Sequence, residues 1–394
     1  MNQSNPQKGV ALFSCGFRPF FLFGALYAAG LIAVWVPWFL GLIHLETDLS
    51  PVSWHTHEML FGFVPAIMGG FLLTAVPGWT GRPPVTGWPL AALFGAWIVG
   101  RLGVAGSEAL GPLGTALLTL LFPVALTAVA GWEIVAAKNW RDLKVPAVLT
   151  VLIAAQSLFH WEQWQYGQSV HGAGLAVAAV LTLKMLNGGR LIPALTGNWL
   201  KARGATRLPP AFSRFDGVAM GVGLLALIAW VLRDDGVLDD RLTGALLLAA
   251  GSAQAVRLLR WQAHRTLAEP LILALHVAYA FIPAGFLLAA WAALSGSAAC
   301  NGAALHAWTA GAIGGMSLAV MTRATLGHTG RALTASWPTV AIHAAVTAAA
   351  GLRIAAALDP QRTMLLMPPA GALWAAAFLM FALVYGRMLL TPRL

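Results

Sequence analysis

The stretch Trp54-His-Thr-His-Glu-Met-Leu-Phe-Gly-Phe63-Val-Pro-Ala-Ile-Met-Gly-Gly70-Phe-Leu-Leu-Thr-Ala-Val76 decides the fold class of this chain. Two imidazoles and a carboxylate open a long apolar run, and comparable runs of about 18 to 25 residues recur along the sequence. Each is long enough to cross a ~30 Å hydrocarbon layer as a helix. A barrel is excluded because its strands alternate apolar and polar residues, whereas Leu90 to Val99 is apolar on every face. The expected fold is an all-α integral membrane bundle.

Composition supports this reading. Of 394 residues, 59% are hydrophobic and 10% charged, where a soluble chain carries roughly a quarter charged residues. The first apolar run, near 17–43, is too long for a signal core and lacks a processing site, so no cleavable signal is expected. The net charge of +10 does not indicate a nucleic-acid partner, because the basic residues cap helix ends instead of forming an aromatic-studded stripe.

Twelve spans are predicted near 17–43, 54–76, 86–106, 110–131, 145–162, 169–187, 215–233, 240–260, 269–292, 303–324, 335–357 and 366–390. With the N-terminus inside, 19 of 24 basic residues, Lys8 and Lys184 among them, fall on the inner side. Arg101, Arg233, Arg241, Arg353 and Arg362 fall outside, as do most acids, including Glu46, Glu162, Asp234 and Asp235. This split satisfies the positive-inside rule and places both termini in the cytoplasm. Residues 1–394 are expected to form one polytopic domain, with a cytoplasmic loop at 187–214 between two sets of six helices that show no sequence repeat. Cys15 and Cys300 fall on opposite sides, which excludes a disulfide between them. Small residues at four-residue spacing, as in Gly311-Ala-Ile-Gly314-Gly315, let helices or a flat macrocycle approach closely.

The topology gathers six of the ten histidines near the outer face: His44, His55, His57, His160, His171 and His306. Imidazole is a common ligand for haem iron and copper, and polar rings are expensive in lipid. His55 and His57 are rotated by about 200° from one another, so one helix can serve two separate metal centres. His44 and His264 read as ordinary interfacial residues. His276 and His343 approach the membrane interior from the other side, and His328 occupies the glycine-flanked segment Leu326-Gly-His-Thr-Gly-Arg331. Glu58 can orient an imidazole or relay protons from outside, against the plain alternative of an interfacial carboxylate. Trp79 and Arg82 suit an interfacial anchor.

Phe17-Arg-Pro-Phe-Phe, Trp54-His-Thr-His-Glu-Met-Leu-Phe-Gly-Phe63, Gly70-Phe-Leu-Leu-Thr-Ala-Val-Pro-Gly-Trp-Thr-Gly-Arg-Pro-Pro84 and His306-Ala-Trp-Thr-Ala-Gly-Ala-Ile-Gly-Gly-Met316 closely resemble the NnrS family. Thr56 stands where alanine is common, and Trp79 follows glycine where asparagine is frequent; neither change removes a ligand. The resemblance implies a bacterial inner-membrane protein of about twelve helices that carries haem b and copper and takes part in nitric oxide metabolism, denitrification or nitrosative-stress defence. It further implies that His55, His57, His306 and His328 are functional positions, with His276 a fifth. In pattern the chain is also similar to haem–copper oxidases and nitric oxide reductases, an analogy that does not by itself license a function.

The leading expectation is a redox protein that binds or transforms nitric oxide, with metals near the outer face. His57, His171, His306 and His276 are its haem candidates. His55 with its neighbours is expected to take copper, and His55, His57, His306 and His328 form the wider metal set. Glu58 is the proton-relay candidate, and the electron donor is not identified. Sequestration of nitric oxide without turnover is equally compatible with these residues. The alternative is a twelve-helix carrier of a metal, haem or nitrosylated complex. Against it, no carboxylate is placed mid-span. Separately, no buried acid or lysine is expected along the cytoplasmic half of the bundle, which argues against a proton pump.

Overall fold

The computed structural model describes residues 11–393 except 234 and 235, so Lys8, Asp234 and Asp235 of the predicted charge split lie outside the described residues. Among the described residues the chain is helical without strands, and twelve helices are long and apolar enough to span a bilayer. They are α1 (Phe17–Phe39), α2 (Pro51–Thr80), α3 (Trp88–Ala105), α4 (Ser107–Ala136), α5 (Lys144–Tyr166) and α6 (His171–Lys201). There follow α7 (Arg214–Leu232), α8 (Asp240–Arg260), α9 (Pro270–Ser295), α10 (Ala298–His328), α11 (Trp337–Leu358) and α12 (Thr363–Leu390). Large apolar side chains such as Leu113, Leu259 and Leu383 are exposed on the outside of the bundle, where lipid replaces water. This is a multi-pass membrane protein.

Burial divides the helices into an interior and a ring. The apolar windows of α2 and α10 are each 72% buried, and those of α1, α6 and α9 between 56% and 61%. The other seven are a third to under half buried, which makes them the lipid-facing layer. Sequence neighbours pack as antiparallel pairs, and the last helix returns to the first. Arg18 fastens that junction: its buried guanidinium donates to the carbonyls of Leu389 (2.9 Å) and Thr391 (2.5 Å) at the end of α12. Carbonyls at a helix C-terminus have no intrahelical donor, and an arginine from α1 supplies one.

The two most buried helices share one construction. α2 opens at Ser50, whose hydroxyl accepts from Ser53 N, and α10 opens at Ser297, whose hydroxyl accepts from Cys300 N. After about two turns each passes a histidine and becomes π-helical, over Glu58–Phe63 in α2 and Ala307–Gly314 in α10. A π segment loosens the backbone ladder and rotates the faces on either side of it. Neighbouring side chains answer the carbonyls in α2: Trp97 Nε1 donates to Gly62 O (2.9 Å) and Arg101 to Phe61 O (3.4 Å).

The sixth span departs from expectation. Asn187-Gly-Gly-Arg190 reads as a turn opening a loop at 187, yet α6 continues as helix to Lys201, which shortens the link before α7. Gly189 serves close approach here, because a Cβ on it would fall on the Arg257 guanidinium. Lys184 is consequently well inside the span, about 20 Å along the helix from His171, with its Nζ 3.1 Å from Ser317 Oγ of α10. Near it, buried Arg257 pairs with Asp216 at 3.0 Å and donates to Met185 O and Tyr279 Oη. The expectation of no buried acid or lysine in that half of the bundle is thereby corrected.

Candidate metal centres

His55 and His57 leave α2 on opposite sides, as residues two apart on a helix must. His55 faces a cavity of about 420 Å³, within the usual range of cofactor pockets. His306 of α10 lines the same cavity, with Trp35 of α1, Trp230 of α7, Arg353 of α11 and Trp374 of α12 on its other walls. The imidazole of His55 stacks on the Trp35 indole, with ring centroids 4.1 Å apart. Trp35 is itself fixed, because its Nε1 donates to Pro51 O at 2.8 Å. His55 Nδ1 is buried and has no hydrogen-bond partner. His306 Nδ1 donates to Gly302 O (2.7 Å), which leaves Nε2 with the lone pair of the uncharged ring. The cavity thus presents two imidazoles on interior helices, each held in orientation by a neighbouring group.

The rest of the wall is mostly apolar and aromatic, with Thr56, Ser169, Asn301 and Thr309 as its uncharged polar residues. Among the described residues its one Asp, Glu, Lys or Arg side chain is Arg353, which has no hydrogen bond or ion pair with any of them.

His57 enters a second, fully buried cluster that does not touch this cavity. Its Nδ1 donates to Glu58 Oε1 at 2.7 Å, so Nε2 carries the lone pair and points at His160 Nε2 of α5, 3.3 Å away. Glu58 Oε1 also accepts from Arg101 of α3 at 2.5 Å, and Thr119 Oγ1 of α4 lies 2.9 Å from His160 Nε2. Four helices, α2 to α5, contribute polar groups at this point, two of them from α2. The carboxylate–imidazole pair is the arrangement that fixes tautomer and ring angle in metal ligands. A tetrahedral metal with nitrogen bonds of about 2.0 Å requires ligand nitrogens roughly 3.3 Å apart, which is the separation of the two Nε2 atoms. The alternative occupant of that gap is a proton.

The remaining histidines lie elsewhere. His171 Nδ1 is 2.8 Å from Glu162 Oε1, and the same carboxylate accepts from Ser169 Oγ and the backbone at the start of α6. His44 sits in the turn after α1, its ring 6.5 Å from Trp38. His276 on α9 contacts Thr196 Oγ1 through Nε2 (3.0 Å), while its Nδ1 is buried without a partner. His343 on α11 is 3.3 Å from Thr322 Oγ1. His328 ends α10 and packs on Phe17, about 30 Å along the helix from His306. The structure therefore joins His55 with His306 and His57 with His160, while His171, His276 and His328 do not line the cavity of His55 and His306. Among the described residues no group of three or more His, Cys, Asp or Glu side chains surrounds one point.

Arg101 and Arg353 are the residues that reading for ligands overlooked. A signal for both was present: they are two of the five basic residues left on the side that the positive-inside rule leaves poor in charge. Arg82 does more than anchor, since it forms an ion pair with Glu133 of α4.

In comparison with known families, residues 11–393 match the family model described as NnrS protein, nearly the full chain. No curated protein matches it.

Proposed function

This chain belongs to the NnrS family, and on that premise we propose that it is a haem- and copper-binding protein that binds or transforms nitric oxide in a bacterial inner membrane. The observation that carries the proposal is the 420 Å³ cavity whose apolar walls bring together His55 and His306. The donor set fits haem b: two imidazoles, one with a free lone-pair nitrogen and one with a buried unpartnered nitrogen, stand among tryptophan faces. His57 and His160 fit copper, which imidazole nitrogens suit and which in its reduced state accepts few ligands. His57, His171, His306 and His276 were the haem candidates on sequence; the proposal retains His306, adds His55, and moves His57 to copper. The end of the bundle holding both pairs would face the periplasm, with the termini and the basic residues in the cytoplasm.

Reduced haem iron and copper both bind nitric oxide, and that is the chemistry these groups would supply. The chain's own residues do the positioning. Trp35 holds the His55 ring, Gly302 O fixes His306, and Glu58, locked by Arg101, orients His57. Glu58 is within hydrogen-bond reach of His57 Nδ1, so a proton held there can pass between the two groups. An electron donor is required for turnover, and its docking site is not assigned.

Purified full-length protein, expressed with ample haem and copper, tests this reading. A Soret band that shifts on adding nitric oxide, with stoichiometric copper, is expected; folded, colourless and copper-free protein would contradict it.

One observation favours the alternative of a carrier. Lys184 stands near the middle of α6 with its Nζ 3.1 Å from Ser317 Oγ, and secondary carriers keep coupling groups near the midplane. Uptake into vesicles that survives substitution of both His55 and His57 would select this reading.

A further inference from the structure

On the reading that the cavity beside His55 and His306 holds haem, we infer that Arg353 receives a propionate carboxylate of the macrocycle and sets its orientation. Among the described residues, Arg353 is the only Asp, Glu, Lys or Arg on the cavity wall. It makes no hydrogen bond or ion pair with any described residue, whereas Arg18 rests on carbonyls, Arg101 on Glu58 and Arg257 on Asp216. A guanidinium inside a membrane bundle is costly unless an anion answers it. Asn301 points to the same polarity of ligand: its Oδ1 is taken by Trp230 Nε1 (3.1 Å), which leaves its amide donors.

Position agrees with charge. Arg353 stands five residues before the end of α11, at the same end of the bundle as His55 and His306. Phe63 and Trp374 of the same wall would meet the apolar part of a macrocycle, and Arg353 would answer a carboxylate. The planar guanidinium fork matches a carboxylate with two parallel hydrogen bonds, which fixes rotation about the ligand-to-metal axis as well as affinity. A free planar anion such as nitrite would satisfy the same fork, so the test must separate a tethered carboxylate from a free one.

Haem-depleted full-length protein is titrated with iron protoporphyrin IX and with its dimethyl ester, followed by the Soret band and by quenching of the cavity tryptophans. The wild type should bind the diacid at least about tenfold more tightly than the diester. Arg353→Leu should bring the diacid down to the diester's affinity while leaving the diester unchanged, and Arg353→Lys should keep part of the preference. If Arg353→Leu fails to fold, Arg353→Gln makes the same comparison. A wild type that does not distinguish the two porphyrins, or a preference that persists without the arginine, overturns the inference, and the second outcome assigns the charge to a free anion or to packing. A folded wild type that binds neither porphyrin overturns the haem reading itself.

Discussion

His57 Nε2 lies 3.3 Å from His160 Nε2 across 103 residues of chain, and neither ring reaches the cavity that His55 occupies two residues earlier. A single helix thus feeds two compartments. The compartments also differ chemically. One is roomy, aromatic and edged by a lone cation; the other is closed, polar and neutralised by the Glu58–Arg101 pair. A large cofactor suits the first and a single ion the second.

The Glu58–Arg101 pair is buried, so removing one member strands the other's charge. Arg101→Leu should destabilise the protein by about 3–5 kcal/mol, read as a lower unfolding midpoint in detergent. Adding Glu58→Gln to it should recover a good part of that loss. Equal and additive losses would show that the two groups do not act as a pair.

Gly62 sets the position of Arg101, because a Cβ at this residue would fall on the guanidinium that reaches Glu58. Gly62→Ala should therefore mimic Arg101→Leu. In the double variant the second change should add less than about 0.5 kcal/mol. An effect of Gly62→Ala that persists in full on the Arg101→Leu background would assign the glycine to backbone geometry alone.

Glu58→Gln keeps a hydrogen-bond acceptor for His57 Nδ1 but loses the charge and the acid–base step. If Glu58 relays protons, nitric oxide turnover should fall about 10²-fold or more while the haem spectrum stays the same. Unchanged turnover would confine Glu58 to positioning.

Arg18 holds the first helix to the carbonyls that end the last one. Arg18→Ala should cost about 1–3 kcal/mol through the unsatisfied carbonyls, with no change in metal content. Loss of haem or copper from an otherwise stable variant would contradict a purely structural role for this residue.

Much of the fold was legible because lipid simplifies the reading. A span must be long and apolar, and α1, α2 and α10 announce themselves on that ground alone. The opposed directions of His55 and His57 follow from helix geometry, without knowledge of neighbours. The π segments were hidden, since a helix apolar on every face has no periodicity that a change of pitch could disturb. The run from Asn187 to Arg190 misled for a related reason: its glycines look like turn residues but serve the approach of Arg257. The partnership of His57 with His160 depends on how α2 and α5 pack, and spacing in the sequence carries no trace of that. Arg101 and Arg353 were legible in principle, as charges on the wrong side of the bilayer.

The Trp35–His55 stack makes a further demand on the cavity. Trp35→Leu removes the ring that holds His55 and the bond to Pro51 O, so haem affinity should fall about tenfold or more, whereas Trp35→Phe keeps the stack and should lose less. Titration of the haem-depleted variants checks the order; equal losses for the two would place the effect outside the stack.

The division of labour between the two histidine pairs is tested most directly by haem and copper analysis of four single variants purified in parallel. His55→Ala and His306→Ala should lower the Soret absorbance strongly and retain copper, while His57→Ala and His160→Ala should lose copper and retain haem. Haem lost from the His57 and His160 variants but kept in the His55 and His306 variants would contradict the account.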